Sequence, residues 1–365
     1  MLLAAVTTVA AVYVYFLIFA QFGFLKAVNA AWEDAGGVVD SILAGMGLAG
    51  IAGSVIAARI FSPARGQRLM ATGWILCALA AAGAPFARSI ATFSGAALLT
   101  GLGVGLVTVT LAGLLQPAIG HKHLGLLIGT GTGFAYGFCN LPGVFDASAT
   151  AQAAIATITA LVGLIASRGL TARTNAEPPV GDDYSGRGIG LWVGIFFVLV
   201  CLDSAMFFLI QHSAGLKQSL WDGSGRQLGN AGMHLVAGVI AGWALDRRGP
   251  GLVVVVSATA LVLTAWVLSG GRMSTPSALV YIAAVSAYST ALVFYPARGG
   301  RPGVAAWVYA VAGWIGSALG IGLAQARGQL SPAAIALAGT LLAISLMGRY
   351  FASRRGRAMN ENYGS

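Results

Sequence analysis

Residues 190–211 read GLWVGIFFVLVCLDSAMFFLIQ, an apolar run with one acid, Asp203, well inside it. An apolar helix needs about 20 residues to cross the roughly 30 Å hydrocarbon core of a bilayer, and only helices or closed barrels satisfy their backbone there. Runs of this kind recur along the whole chain, separated by short charged clusters. Of 365 residues, 57% are hydrophobic and 52 are glycine, against only 21 basic and 11 acidic side chains. So little charge leaves too much apolar surface for one soluble core of this length. Strands of a membrane barrel would alternate in polarity over about ten residues. No such alternation runs through the chain, so the spans read as helices.

Twelve spans are expected, at 3–25, 37–58, 69–87, 90–115, 123–143, 149–167, 189–211, 228–246, 251–269, 277–296, 303–325 and 331–351. The first has no basic residue before it and is too long for the apolar core of a cleavable signal, so it reads as a retained helix. Cytoplasmic loops keep Lys and Arg. The side shared with the termini carries Arg59, Arg65, Arg68, Lys122, Arg168, Arg173, Arg187, Arg247, Arg248, Arg298, Arg301, Arg349, Arg354, Arg355 and Arg357. The other side carries Lys26, Arg88, Lys217, Arg226, Arg272 and Arg327. The bias places both termini in the cytoplasm. It also accounts for the net charge of +10 through attraction to the anionic headgroups of the lipid bilayer, so no nucleic-acid partner is called for.

The polar stretch 169–188, with Pro178, Pro179, Gly181, Asp182 and Asp183, cannot form a core and reads as a cytoplasmic linker. It separates a six-helix bundle at 1–168 from a second at 189–352, followed by a basic-then-polar tail at 353–365. Two such halves suggest a transporter whose cavity forms between them. Cys77, Cys139 and Cys201 all fall within spans and form no CxxC pair, so neither a zinc site nor a disulfide framework is indicated. No nucleophile with base and orienter, no P-loop and no dinucleotide fingerprint is present, which gives no support to an enzyme, an ATP-driven pump or a resident cofactor. The string Gly129-Thr-Gly131-Thr-Gly133 lies in an apolar span and reads as helix packing, as do the small-residue pairs Gly238 with Gly242 and Gly101 with Gly105.

The eighth span ends in Gly242-Trp-Ala-Leu-Asp246-Arg247-Arg248-Gly249. This resembles the loop motif of the major facilitator superfamily, with Gly242, Asp246, Arg247 and Gly249 at its characteristic positions. The resemblance implies an all-α integral membrane fold of twelve helices in two halves, with these residues acting as a conformational latch between neighbouring helix ends. In the first half the equivalent stretch is Gly53-Ser-Val-Ile-Ala57-Ala58-Arg59, in which the acid is missing.

Ionisable groups at membrane depth are costly and are functional candidates for that reason. Glu33, Asp34, Asp40, Asp146, Glu177, Asp182, Asp183, Asp222, Asp246 and Glu361 all fall in loops or near helix ends, whereas Asp203 does not. Met206 lies one turn from Asp203 on the same face, and His234 shares a polar stripe with Gln227 and Asn230 on the eighth span. Read as side-by-side antiparallel neighbours, the two helices bring Met206 and His234 to similar depth. A thioether and an imidazole suit copper, although methionine also serves as apolar filler and histidine as a proton relay or hydrogen-bonding group. Thr132, Tyr136 and Asn140 on the fifth span are further cavity candidates, as are Gln21, Tyr281, Ser286, Tyr288, Tyr309 and Ser317.

Within the superfamily the chain resembles the bacterial copper importers that supply cbb3-type cytochrome oxidase assembly, marked by MxxxM on the seventh helix and HxxxM on the eighth. Met206 matches the first methionine and His234 the histidine, while Ile210 and Gly238 replace the second methionines. The resemblance implies copper uptake across the bacterial inner membrane, with Met206 and His234 as ligands of the transported ion and Asp203 as proton or charge partner. Two other readings remain open. One is a proton-coupled carrier of a small organic solute, in which Asp203 titrates and His234 with Asn230 binds the substrate. The other is a non-transporting membrane subunit that binds an unidentified protein partner.

Overall fold

The computed structural model describes residues 1–32, 36–171, 186–271 and 273–363. Glu33, Asp34, Arg173, Glu177, Asp182, Asp183, Arg272 and most of the 169–188 linker lie outside the described residues. Twelve long helices follow one another among those that are described. They are α1 (Leu2–Ala31), α2 (Gly36–Ile60), α3 (Pro63–Gly83), α4 (Ile90–Ile119), α5 (Leu124–Cys139), α6 (Ala149–Ser167), α7 (Gly186–His212), α8 (Ser224–Arg248), α9 (Pro250–Ser269), α10 (Thr275–Gly299), α11 (Pro302–Arg327) and α12 (Pro332–Tyr363). Ten are long and apolar enough to cross a membrane, and α5 and the Pro332–Gly348 part of α12 are shorter apolar helices. The protein is a multi-pass, all-helical membrane protein.

The helix bounds differ from the expected spans in ways the local chemistry explains. α5 stops at Cys139, because Pro142 opens a separate four-residue turn, Pro142–Phe145. α8 begins at Ser224, since its polar first turns carry Gln227 and Asn230, which are buried against protein. A hydropathy reading discards such turns as loop. α12 continues to Tyr363 through the expected tail. Two helices contain a wide π-helical stretch, Phe16–Gly23 in α1 and Val308–Gly316 in α11. Such stretches are rare and collect at functional places. A further short helix, Ala214–Trp221, lies between α7 and α8.

α1–α6 and α7–α12 each pack as a bundle, and an even number of crossings puts both chain ends on one face. That face, which carries Arg59, Arg65, Lys122, Arg247, Arg248 and Arg298, is called the basic end below. The halves meet along α5 with α8 and α10, α4 with α10, and α2 with α11. α5 and α8 approach until their backbones touch. A Cβ on Gly238 would stand 2.7 Å from the Gly129 carbonyl oxygen, and one on Gly242 would collide with that of Gly125. Likewise, a Cβ on Gly50 of α2 would fall inside the indole of Trp314, which lies on the π-helical stretch of α11. α7 packs on α11 and α12, not along α8. The expected side-by-side pairing of the seventh and eighth helices is therefore corrected, because a loop joins them in sequence while neighbours in this bundle are chosen by glycine faces.

Candidate functional site

α7 places Asp203 roughly 13 Å below its His212 end, and α8 places His234 roughly 15 Å below its Ser224 end, at ~1.5 Å per residue. Both side chains therefore sit deep in the bundle, where α10 joins them. The Tyr281 hydroxyl donates to Asp203 Oδ1 at 2.8 Å and the Tyr288 hydroxyl to Oδ2 at 2.5 Å. These two tyrosines are seven residues apart, so they project from one face of α10, two turns from each other. The same helix carries Ser286, whose Oγ lies 2.7 Å from His234 Nδ1. Among the described residues no Lys, Arg or His forms an ion pair with Asp203. The carboxylate is half-buried and held only by hydroxyl donors.

The N-terminal half supplies the opposite wall. The Tyr136 ring of α5 stacks on His234 with centroids 4.8 Å apart and planes 20° apart. Its hydroxyl lies 3.1 Å from Ser289 Oγ, and Tyr13 of α1 donates to the Ser289 carbonyl at 2.9 Å. Tyr13 and Tyr136 pack ring against ring at 5.6 Å. Neighbouring Ser204 of α7 donates to Ser317 of α11 at 3.0 Å. One polar cluster thus draws on both halves and centres on Asp203, Tyr288, Tyr136, His234 and Ser289. His234 is only 6% exposed, while Tyr13, Tyr136 and Asp203 keep part of their surface open in the middle of the bundle.

Other expected site residues sit elsewhere or are already engaged. Gln227 Nε2 donates to Asp146 Oδ2 at 2.8 Å, Asn230 Nδ2 to the Leu220 carbonyl at 2.9 Å and Asn140 Nδ2 to the Tyr136 carbonyl at 2.9 Å. The Gln227 and Asn230 amides hold the end opposite the basic one. Met206 is fully buried in the hydrophobic core of α7, and Ile210 beside it is equally buried. α7 packs on α11 and α12 rather than along α8, so side-by-side packing of the two helices does not bring Met206 to His234. Among the described residues no three His, Cys, Asp or Glu side chains converge.

At the basic end, Asp246 of α8 accepts from the backbone N–H groups of Gly125 at 2.6 Å and Leu126 at 2.9 Å, which open α5. A carboxylate on two free amides at a helix N-terminus is a charge-assisted contact. Here it ties one half to the other. Gly242 allows the approach, and Gly249, with φ of +71°, turns the chain out of α8. Arg247 does not reach across; its guanidinium lies over Trp243 of its own helix at 4.3 Å. Where the first half lacks the acid, the corner is packed instead. A Cβ on Gly113 would meet Phe61 Cζ at 2.8 Å and Pro302 Cγ at 3.1 Å.

No protein-family profile and no curated protein sequence matches the chain, but solved structures do. The proton:xylose symporter XylE bound to 6-bromo-6-deoxy-D-glucose superposes with a TM-score of 0.66 at 13% identity, over 96% of this chain and 95% of that one. The human organic anion transporter MFSD10 (TETRAN) gives 0.61 at 18% identity, over 95% and 97%. The major facilitator superfamily transporter FucP in its outward conformation gives 0.61 at 14% identity, over 95% and 98%. The chain has the major facilitator fold. Within that fold, Tyr13 and Ser289 went unnoticed in the sequence. Tyr13 read as one more aromatic in an apolar span, and a backbone carbonyl acceptor leaves no sequence mark. The Asp146–Gln227 contact was also hidden, because it joins a loop of one half to a helix of the other.

Proposed function

We propose that the protein is a secondary transporter that moves a small organic solute coupled to protons, by alternating access between its two halves. One observation carries this reading. Asp203, the single acid deep within a span, is held by two hydroxyls from α10 at the place where side chains of both halves converge. An ionised carboxylate binds O–H donors more strongly than a neutral acid does. A proton arriving on Asp203 therefore loosens α7 from α10, the helix that also carries Ser286 and Ser289. Proton occupancy and solute occupancy then act on the same helix. His234, Tyr136 and Ser289 form the solute-binding wall, and Asp246 on the α5 N-terminus serves as the latch of the basic end. The basic bias of that end supports a cytoplasmic placement in a bacterial inner membrane.

Copper uptake needs soft and imidazole ligands brought together. The packing of α7 away from α8 favours the organic-solute reading over it. The test is proton flux in proteoliposomes carrying a trapped pH dye, challenged with pools of neutral, cationic and anionic small solutes. The wild type should acidify or alkalinise the lumen with at least one pool, and Asp203→Asn should abolish the signal while leaving the protein folded. Silence of the wild type with every pool would sink the reading.

A further inference from the structure

The site is built for one charge type. Among the described residues no Lys or Arg pairs with Asp203, so an anionic solute would find no counter-charge beside it. Neutral polyols are read by amide and carboxylate groups that offer both donors and acceptors. Here the Gln227, Asn230 and Asn140 amides each donate to protein. What the centre does present, among the described residues, is a carboxylate without a cation, met by the hydroxyls of Tyr281 and Tyr288 on α10, the helix whose Ser289 and Ser286 also hold the stacked rings of Tyr136 and His234. A carboxylate held largely away from water is better satisfied once a positive charge joins it, and aromatic side chains attract an organic cation more than a neutral solute. The donor set for a metal ion is thin by comparison.

We propose that the transported solute is a small organic cation, a protonated amine or quaternary ammonium, neutralised by Asp203 and enclosed by the tyrosine rings around it. The substrate class rests on the transport reading above, but its binding is measurable without transport. Purified protein in nanodiscs is titrated calorimetrically with phenethylammonium and with its neutral and anionic counterparts, 2-phenylethanol and 3-phenylpropionate, and with D-xylose. Phenethylammonium should bind at least tenfold more tightly than the other three, and Asp203→Asn should remove that advantage. Should Asp203→Asn fail to fold, Tyr136→Leu, which removes an aromatic ring and no charge, should weaken the amine several-fold more than it weakens the alcohol. Equal binding of amine and alcohol, or an amine affinity indifferent to both substitutions, overturns the proposal. The same probes in proteoliposomes separate the two readings. An amine that binds but moves no protons, with every solute pool silent as well, upholds the cation site and sinks transport. Xylose or a carboxylate that drives Asp203-dependent proton flux upholds transport and sinks the cation. Copper accumulation that depends on Met206 and His234 sinks both the organic-solute reading and the cation proposal.

Discussion

Ser286 shows how much a single hydroxyl can carry in this bundle. His234 is nearly closed off from solvent, and its Nδ1 has Ser286 Oγ as partner at 2.7 Å. Removing one partner of a buried pair leaves the other unsatisfied, at about 1–3 kcal/mol. Ser286→Ala should therefore lower the melting temperature of the purified protein. Ser224→Ala, at the exposed start of α8, should leave it nearly unchanged. Equal melting of the two variants would show that His234 does not depend on that bond. Asp203 itself was legible in the sequence because an ionisable group at membrane depth is out of place. Its partners were less so. A tyrosine in an apolar span looks the same whether it faces lipid or donates to a carboxylate, and only the seven-residue spacing of Tyr281 and Tyr288 hints at a shared target. Gln227 and Asn230 stood out for the same reason as Asp203, yet their amides tie the protein to itself. Polarity at depth marks a residue as engaged without saying with what.

At the scale of elements, the α5–α8 contact is where glycine sets the geometry. Gly125, Gly129 and Gly133 face Gly242, Gly238 and the Leu235 backbone, with no room for a methyl group between them. Gly229 and Gly232, on the same α8, have open space at their Cβ positions. Gly238→Ala should push the helices apart, weaken the Asp246 contact on Gly125 and Leu126, and lower thermal stability. Gly232→Ala should be neutral or stabilising by about 0.5–1 kcal/mol, because glycine is the poorer helix former. Parallel melting curves of the two variants decide the matter, and equal losses would contradict the close-contact account. The spacing-four glycines were visible in the sequence as helix-packing residues, but not which helix each would meet. Twelve spans and their order follow from hydropathy, since membrane thickness imposes length. Neighbours do not follow, because any apolar helix can lie beside any other in lipid. That is why α7 and α8, consecutive in sequence, were wrongly paired.

For the whole molecule, the two ends are closed by different means. The basic end is closed by backbone contacts along α5–α8 and by α10 against α4, where a Cβ on Gly300 would lie 3.3 Å from Gln116 Oε1. The opposite end is closed by side chains. Gln227 reaches Asp146, Phe207 meets Phe22 at 5.6 Å, and Trp221 meets Phe145 at 6.0 Å. Aromatic edge contacts of this kind contribute about 0.5–1.5 kcal/mol each beyond the area they bury. Such a seal opens more readily than interlocked backbones, so the opposite end should be the first to admit solute. In a variant with Cys77, Cys139 and Cys201 replaced, cysteines at Asp146 and Gln227 joined by a short bifunctional thiol reagent should stop solute-driven proton flux. Cleaving a reducible linker should restore it. Flux that survives complete cross-linking would mean that this end stays shut while solute moves, and alternating access between these two halves would then be the wrong mechanism for this fold.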